Sequence, residues 1–179
     1  KIPEKSSHYP RACLLIAEMA TKRNDLAAAQ SAYAKYFAKM TAPASESEED
    51  ADDFKQSVRM YARVLEQQGK GKEAAEVMKL LARVKGEGAA GERQLKFMTV
   101  QAVLAGEEEK ASRQEAVDKK AVAEAIQALK NLQWELDGVT TASYPELARA
   151  HVVLGENDKA IEVLKVGADF MAEIEETLT

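Results

Sequence analysis

One cysteine, two histidines and four prolines occur in 179 residues. A lone thiol, Cys13, closes no intramolecular disulfide, so no covalent framework holds the fold or reports a redox compartment. Its setting, RACLLIAEMA, reads as a small buried apolar position rather than a reactive thiol, which needs access and an electropositive neighbourhood. With only His8 and His151, imidazole is scarce for general-base work, and no H-E-x-x-H, C-x-x-C or G-x-S-x-G motif is present. The 30 acidic residues include no pair that one dimension selects for acid–base chemistry. The expectation is therefore a protein that is not an enzyme, with no catalytic residues, no cofactor and no metal.

A basic excess is also lacking. Lys and Arg number 25 against 30 Asp and Glu, a net charge of −5, which offers no general attraction for nucleic acid or anionic lipid. No apolar run approaches the roughly 18 residues of a membrane span, so a soluble chain is expected. The sequence starts at Lys1 without methionine, so a leader removed by processing would leave no trace. The cytoplasm is the expected compartment, with the periplasm or secretion as alternatives.

Strand signals are missing too: no segment alternates apolar and polar residues with β-branched enrichment. What fills the chain is Ala, Glu, Lys, Leu and Gln, all good helix formers, in long stretches between the few glycines and prolines. The first helix opens at Tyr9-Pro10, where proline suits an opening turn, and its Cys13, Ile16, Ala17 and Ala20 share a face. After a turn at Asn24-Asp25, LAAAQSAYAKYFAKM puts Ala29, Tyr33, Tyr36 and Met40 in one stripe. Six carboxylates then fall between Glu46 and Asp53. They lack the interleaved spacing and glycine of a calcium loop, and they fit a helix whose acidic first turn is capped by Ser47.

That helix carries Phe54, Val58, Tyr61, Ala62 and Leu65, and after GKGK the return helix EAAEVMKLLARVK turns Ala74, Met78 and Leu81 inward. The next, ERQLKFMTVQAVLA, is apolar around much of its circumference and is therefore expected to be central, ending at Gly106. Residues 106–119 read as a solvated helix or a mobile connection. Beyond them AVAEAIQALKNLQWELDG stripes Val122, Ile126, Leu129, Leu132 and Leu136, with Trp134 as a packing anchor. SYPELARAHVVLGE and KAIEVLKVGADFMAEIEETL complete the chain. The predicted architecture is one all-α domain over 1–179: an α-solenoid of about four antiparallel helical hairpins, near 9–41, 47–86, 91–137 and 143–178.

Three hairpins share a spacing: a small residue, a turn residue seven later, an alanine five beyond, then a large apolar residue after four more. Ala17, Asn24, Ala29 and Tyr33 satisfy it, as do Ala62, Gly69, Ala74 and Met78, and Ala148, Gly155, Ala160 and Leu164. A further unit with Ala125 and Leu129 lacks a matching first helix, because residues 106–119 intervene. Small residues let antiparallel helices touch and the larger ones fill the groove to the next hairpin. The pattern resembles the tetratricopeptide repeat family, whose helix-turn-helix units stack into a right-handed solenoid.

The same frame disposes of GEGAAG at 86–91, which fits the G-x-G-x-x-G spacing of dinucleotide loops. VMKLLARVK precedes it, a helical pattern where that fingerprint needs a strand, so the glycines read as punctuation between helices. GKGKEA likewise lacks the frame of a P-loop.

The resemblance implies a protein-interaction scaffold or adaptor whose first helices line a concave peptide site. Carried over position by position, that site comprises Leu14 and Glu18, then Arg59 and Arg63, then Arg149. Arg63 and Arg149 each follow the small packing alanine by one residue, and an acidic peptide or a terminal carboxylate suits them. The lysine and asparagine set of the family's carboxylate-clamp members is not reproduced. His151 falls where the family places an apolar or aromatic residue facing the partner helix; it reads first as a satisfied core histidine, and the alternative is a half-buried ring whose protonation loosens the last hairpin. On the terminal helix Val163, Val166, Phe170, Ile174 and Leu178 form an apolar stripe that either caps the solenoid or supports self-association. A helical self-assembly subunit is the alternative function, and a small-molecule binder or unrecognised enzyme the third.

Overall fold

The computed structural model describes residues 3–44, 47–84, 89–133 and 138–177, with backbone only for 89, 90, 138, 173, 174, 176 and 177. Every regular element among them is helical. In chain order these are α1 (Tyr9–Lys22), α2 (Leu26–Phe37), α3 (Glu48–Glu66), α4 (Gly71–Met78), a 3-10 helix (Lys79–Arg83), α5 (Ala89–Ser112), α6 (Lys119–Asn131), α7 (Gly138–Val153) and α8 (Asn157–Thr177). The starts follow capping chemistry. Ser47 Oγ accepts from the Asp50 N–H at 3.2 Å above an acidic first turn, and Asp25 and Asp118 cap α2 and α6 through the N–H groups of Ala28 and Ala121.

Consecutive helices pair as α1 with α2, α3 with α4, α5 with α6 and α7 with α8, and the first helices also touch in series, α3 on α5 and α5 on α7. The four turns are built alike. Asn24, Gly69, Gln114 and Gly155 all take positive φ, between 56° and 76°. Across each, the next N–H bonds back to the helix end: Asp25 to the Ala20 carbonyl, Lys70 to Leu65, Glu115 to Lys110 and Glu156 to His151, all at 2.8–2.9 Å. This is a Schellman-type closure, repeated four times. The turn residues stand 45, 45 and 41 positions apart, longer than the roughly 34 of a tetratricopeptide repeat.

Two expectations change here. Gln114 supplies the turn, and α5 the first helix, for the third hairpin, which therefore has its partner after all. The register of that hairpin is set by Val122, fully buried at the position of Ala29, Ala74 and Ala160, and not by Ala125. Gly106 does not end α5, which runs on to Ser112. It is glycine because α4 crosses α5 there: a methyl on Gly106 would run into the Gly71 N and Cα, and one on Gly71 would lie 2.6 Å from the Val103 carbonyl oxygen. Elsewhere the boundaries differ modestly. The α-helical part of the return helix stops at Met78 before tightening to 3-10, α6 ends at Asn131, and α7 begins at Gly138 rather than near Ser143.

The buried side chains form two clusters. One joins α1 to α4, with Tyr33, Phe54, Val58 and Leu65 fully buried and the Tyr61 ring stacked on Tyr33 and Phe37. The other joins α5, α6 and α7, around Leu104, Val122 and Leu129. As its all-round apolar sequence requires, α5 serves both: Leu95, Met98 and Ala102 face the first, Phe97, Val100 and Leu104 the second. Cys13 is buried, but Ile16, expected beside it, is 56% exposed. Lys85 to Gly88 and Trp134 to Asp137, with Leu136 among them, lie outside the described residues. Of GEGAAG, Ala89 to Gly91 form the opening of α5, and the 3-10 helix ends at Arg83 just before the undescribed residues.

The segment 106–119 is tied down. Glu107, 1% exposed, occupies in α5 the position of Ala17, Ala62 and Ala148 in the other first helices. Its carboxylate accepts from Lys110 Nζ and from the Asp118 N–H, both at 2.7 Å. Arg113 donates to the Gln67 carbonyl at the end of α3, and Lys72 on α4 pairs with Asp118 at 2.7 Å. Glu107 thus fastens the residues by which this turn is longer than the other three.

The hydrogen bond from Lys72, with those from the backbone N–H groups of α6, holds the Asp118 carboxyl down at about 2, against an ordinary 3.8. A depressed carboxylate contributes stability that is complete above its unfolded pKa and is lost as pH falls from about 4 through about 2. Replacing Lys72 with Met is therefore expected to move the acid-unfolding midpoint, followed by far-UV circular dichroism, to higher pH. Superimposable acid titrations of the two proteins would refute the pairing.

Candidate functional site

The layer of first helices carries two clefts. The first, about 270 Å³, lies between α1, α2 and α3 and holds Leu14 and Glu18 with Gln56 and Met60. The second, about 340 Å³, lies where α3, α4, α5 and α7 meet, and Arg59, Glu66, Met78, Met98, Gln101 and Arg149 line it. Of the five residues that sequence placed on one concave surface, the structure brings Arg59 and Arg149 to the same cleft. Arg63, exposed on α3, acts on this cleft through its charge on Glu66. Leu14 and Glu18 belong to the other cleft.

Arg149 corresponds in the repeat to Arg63, and Arg59 lies one helical turn before Arg63. The stack sets α3 and α7 against α5, and Arg59 and Arg149 reach the same cleft from either side of it. The methionines form the floor. Met78 is buried on α4 and Met98 half-buried on α5, and unbranched thioether side chains adapt to irregular partners.

The electrostatics divide the arginines. Arg149 is already engaged: its guanidinium pairs with Glu108 one hairpin back, with Nε at 2.8 Å, and reaches Glu146 at 3.3 Å. Burial alone would lower its pKa, but the hydrogen bonds and charges of Glu108 and Glu146 outweigh burial, and the net shift is upward. Gln101 donates to the other Glu146 oxygen at 2.8 Å, which fixes that wall of the cleft. Burial raises the pKa of Glu66, against the opposing pull of Arg149 and Arg63. Arg59 and Arg63 are the exposed cations left facing solvent at this end. Sequence inspection missed Glu108 and Glu146 as partners, since Glu108 stands 41 positions from Arg149 and only helix stacking brings them together.

A third opening, about 580 Å³, lies between α4, α5 and α6, with Val100, Val103, Ala121 and Ala125 as floor and Lys72, Lys79 and Glu124 on its rim. A fourth, about 930 Å³, follows the outer side of α1 and α2 past Tyr9, Cys13, Ile16 and Lys35. Among the described residues no group of three or more His, Cys, Asp or Glu side chains is placed to hold a metal ion. No described helix is long and apolar enough to cross a membrane.

In the last hairpin His151 is buried with Nδ1 2.8 Å from Glu156 Oε2, a partnered core histidine as first expected. On α8, Val163 and Phe170 turn toward the body of the molecule, Phe170 against the Tyr144 ring, whereas Val166 is 51% exposed. The Ile174 side chain and Leu178 lie outside the described residues. Ile161, Leu164 and Met171 remain exposed on an adjoining face.

These features define a class: an all-α stack of helical hairpins whose clefts lie between helices. No family model and no curated protein matches the chain. Among solved structures, the crystal structure of MamA protein aligns over 92% of this chain and 92% of that one, at 16% identity and a TM-score of 0.35.

Proposed function

We propose that this chain is a non-catalytic protein-interaction scaffold that takes a partner's peptide segment into the cleft between α3, α5 and α7. The observation that carries this reading is the cleft itself, an apolar floor of Met78 and Met98 beside the Arg59 guanidinium, with Arg149 held in place by Glu108 and Glu146. An apolar side chain seated on the methionines and a carboxylate reaching Arg59 and Arg63 is the ligand chemistry this arrangement suits. Arg149 orders the wall, since each of its three guanidinium nitrogens already donates to Glu108 or Glu146.

The test is capture by the immobilised chain, with cross-linking and mass spectrometry to locate the contact. The double variant Arg59→Glu/Arg63→Glu is expected to weaken capture at least tenfold with an unchanged helical spectrum, since both positions are exposed. Equal capture by the double variant would remove the cleft from consideration.

A further inference from the structure

The repeat register exposes a complementarity between the two ends of the stack. Inside the chain, the junction of the first and second hairpins is made by α2 against α3: Tyr33 and Phe37 meet Tyr61 with ring centroids 5.4 and 5.6 Å apart, and Phe37 meets Phe54 at 5.9 Å. Superposing the four turns and caps gives each of these residues a counterpart elsewhere. Tyr61 corresponds to Ile16 and Phe54 to Tyr9 on α1. Tyr33 corresponds to Leu164, Phe37 to Ala168 and Met40 to Met171 on α8.

Of the counterparts, Ile16, Leu164, Ala168 and Met171 are exposed and Tyr9 is half-buried. Tyr33 is fully buried, whereas Leu164 is 50% exposed; Ile16 is 56% exposed, and Met171 41%. Ile161, Leu164, Ala168 and Met171 run along α8 with Lys165 at their edge, and Tyr9, Ala12, Cys13 and Ile16 run along α1. The α1 face borders the 930 Å³ opening, which no described helix covers. Linear repeat stacks ordinarily close their ends with polar faces, and each end of this one carries an exposed apolar stripe. One end therefore presents the α2-like half of a hairpin junction, and the other end the α3-like half.

We infer that copies of this chain stack head to tail, the α8 face of one copy around Leu164 seating on the α1 face of the next around Ile16, in the geometry by which α2 seats α3. Such a contact is heterologous. It leaves one free end of each kind on every assembly, so it extends into open chains instead of closing as a dimer. The surface is separate from the arginine cleft, and the inference does not depend on what that cleft takes.

Ile16→Glu and Leu164→Glu, each at a half-exposed position, separate the possibilities by light scattering coupled to size-exclusion chromatography. The unmodified chain is expected to gain mass progressively with concentration. Each variant alone is expected to stay monomeric, because it retains only one competent end. Mixed in equal amounts they are expected to form a dimer and nothing larger, since one intact junction survives, while Arg59→Glu/Arg63→Glu leaves assembly unchanged. An unmodified chain that is monomeric at every concentration overturns the inference. So does an Ile16→Glu variant that still dimerises while Leu164→Glu does not, which would mean symmetric pairing through α8, and so does a mixture that stays monomeric.

Discussion

Gly106→Ala is expected to lower the melting temperature by roughly 4–12 °C, corresponding to a loss of about 2–3 kcal/mol. Propensity argues the other way, because replacing a mid-helix glycine by alanine ordinarily gains about 1 kcal/mol. Contact decides the sign. The new methyl would meet the Gly71 backbone, and Gly71 itself lies so close to α5 that a methyl on it would fall 2.6 Å from the Val103 carbonyl oxygen and 2.7 Å from that of Ala102. A flexible side chain would step aside at little cost, whereas two backbones separate only if α4 lifts from α5 and uncovers Ala74, Met78 and Ala102, all buried. Thermal denaturation followed at 222 nm measures the effect, and a variant as stable as its parent would show that the helices do not approach this closely.

Glu107→Ala is expected to destabilise the fold by roughly 3 kcal/mol, even though alanine is what the other three hairpins carry at that position. In those hairpins the alanine meets a partner helix, but here the longer turn sends the Asp118 N–H back toward α5, where it donates to the Glu107 carboxylate. Truncation would strand that N–H and the Lys110 ammonium together. Glu107→Gln keeps an acceptor for the N–H and should cost about 1 kcal/mol, so the difference between the two variants isolates the charge. Chemical denaturation supplies both values. An alanine variant no weaker than the glutamine one would mean that the carboxylate is incidental.

Three of the four turns were legible in the sequence because Asn and Gly are the residues that adopt positive φ at low cost. Gln114 gave no such signal, so the third hairpin went unmatched and the segment after Gly106 read as loose. The same blindness hid Glu107. A carboxylate in an acidic run looks solvated, and only the fold shows it filling an alanine position. At the arginine cleft, periodicity aligned Arg63 with Arg149, but the residue that lines the cleft with Arg149 is Arg59, one helical turn earlier on α3. Periodicity did not show that Arg149 is already paired, because Glu108 belongs to a different helix and hairpin. Nor did it show that Ile16 faces outward, for a helical stripe wider than its neighbour's footprint leaves one edge uncovered.

The placement of α5 bears on how the molecule comes apart. In an array whose units touch only their nearest neighbours, the ends fray independently and partly melted species accumulate. Here a single rod contributes side chains to two separate apolar clusters, so loosening either half strips cover from the other. Disassembly from both termini is expected to converge on this helix, with the amide protons buried along it the last to exchange with solvent.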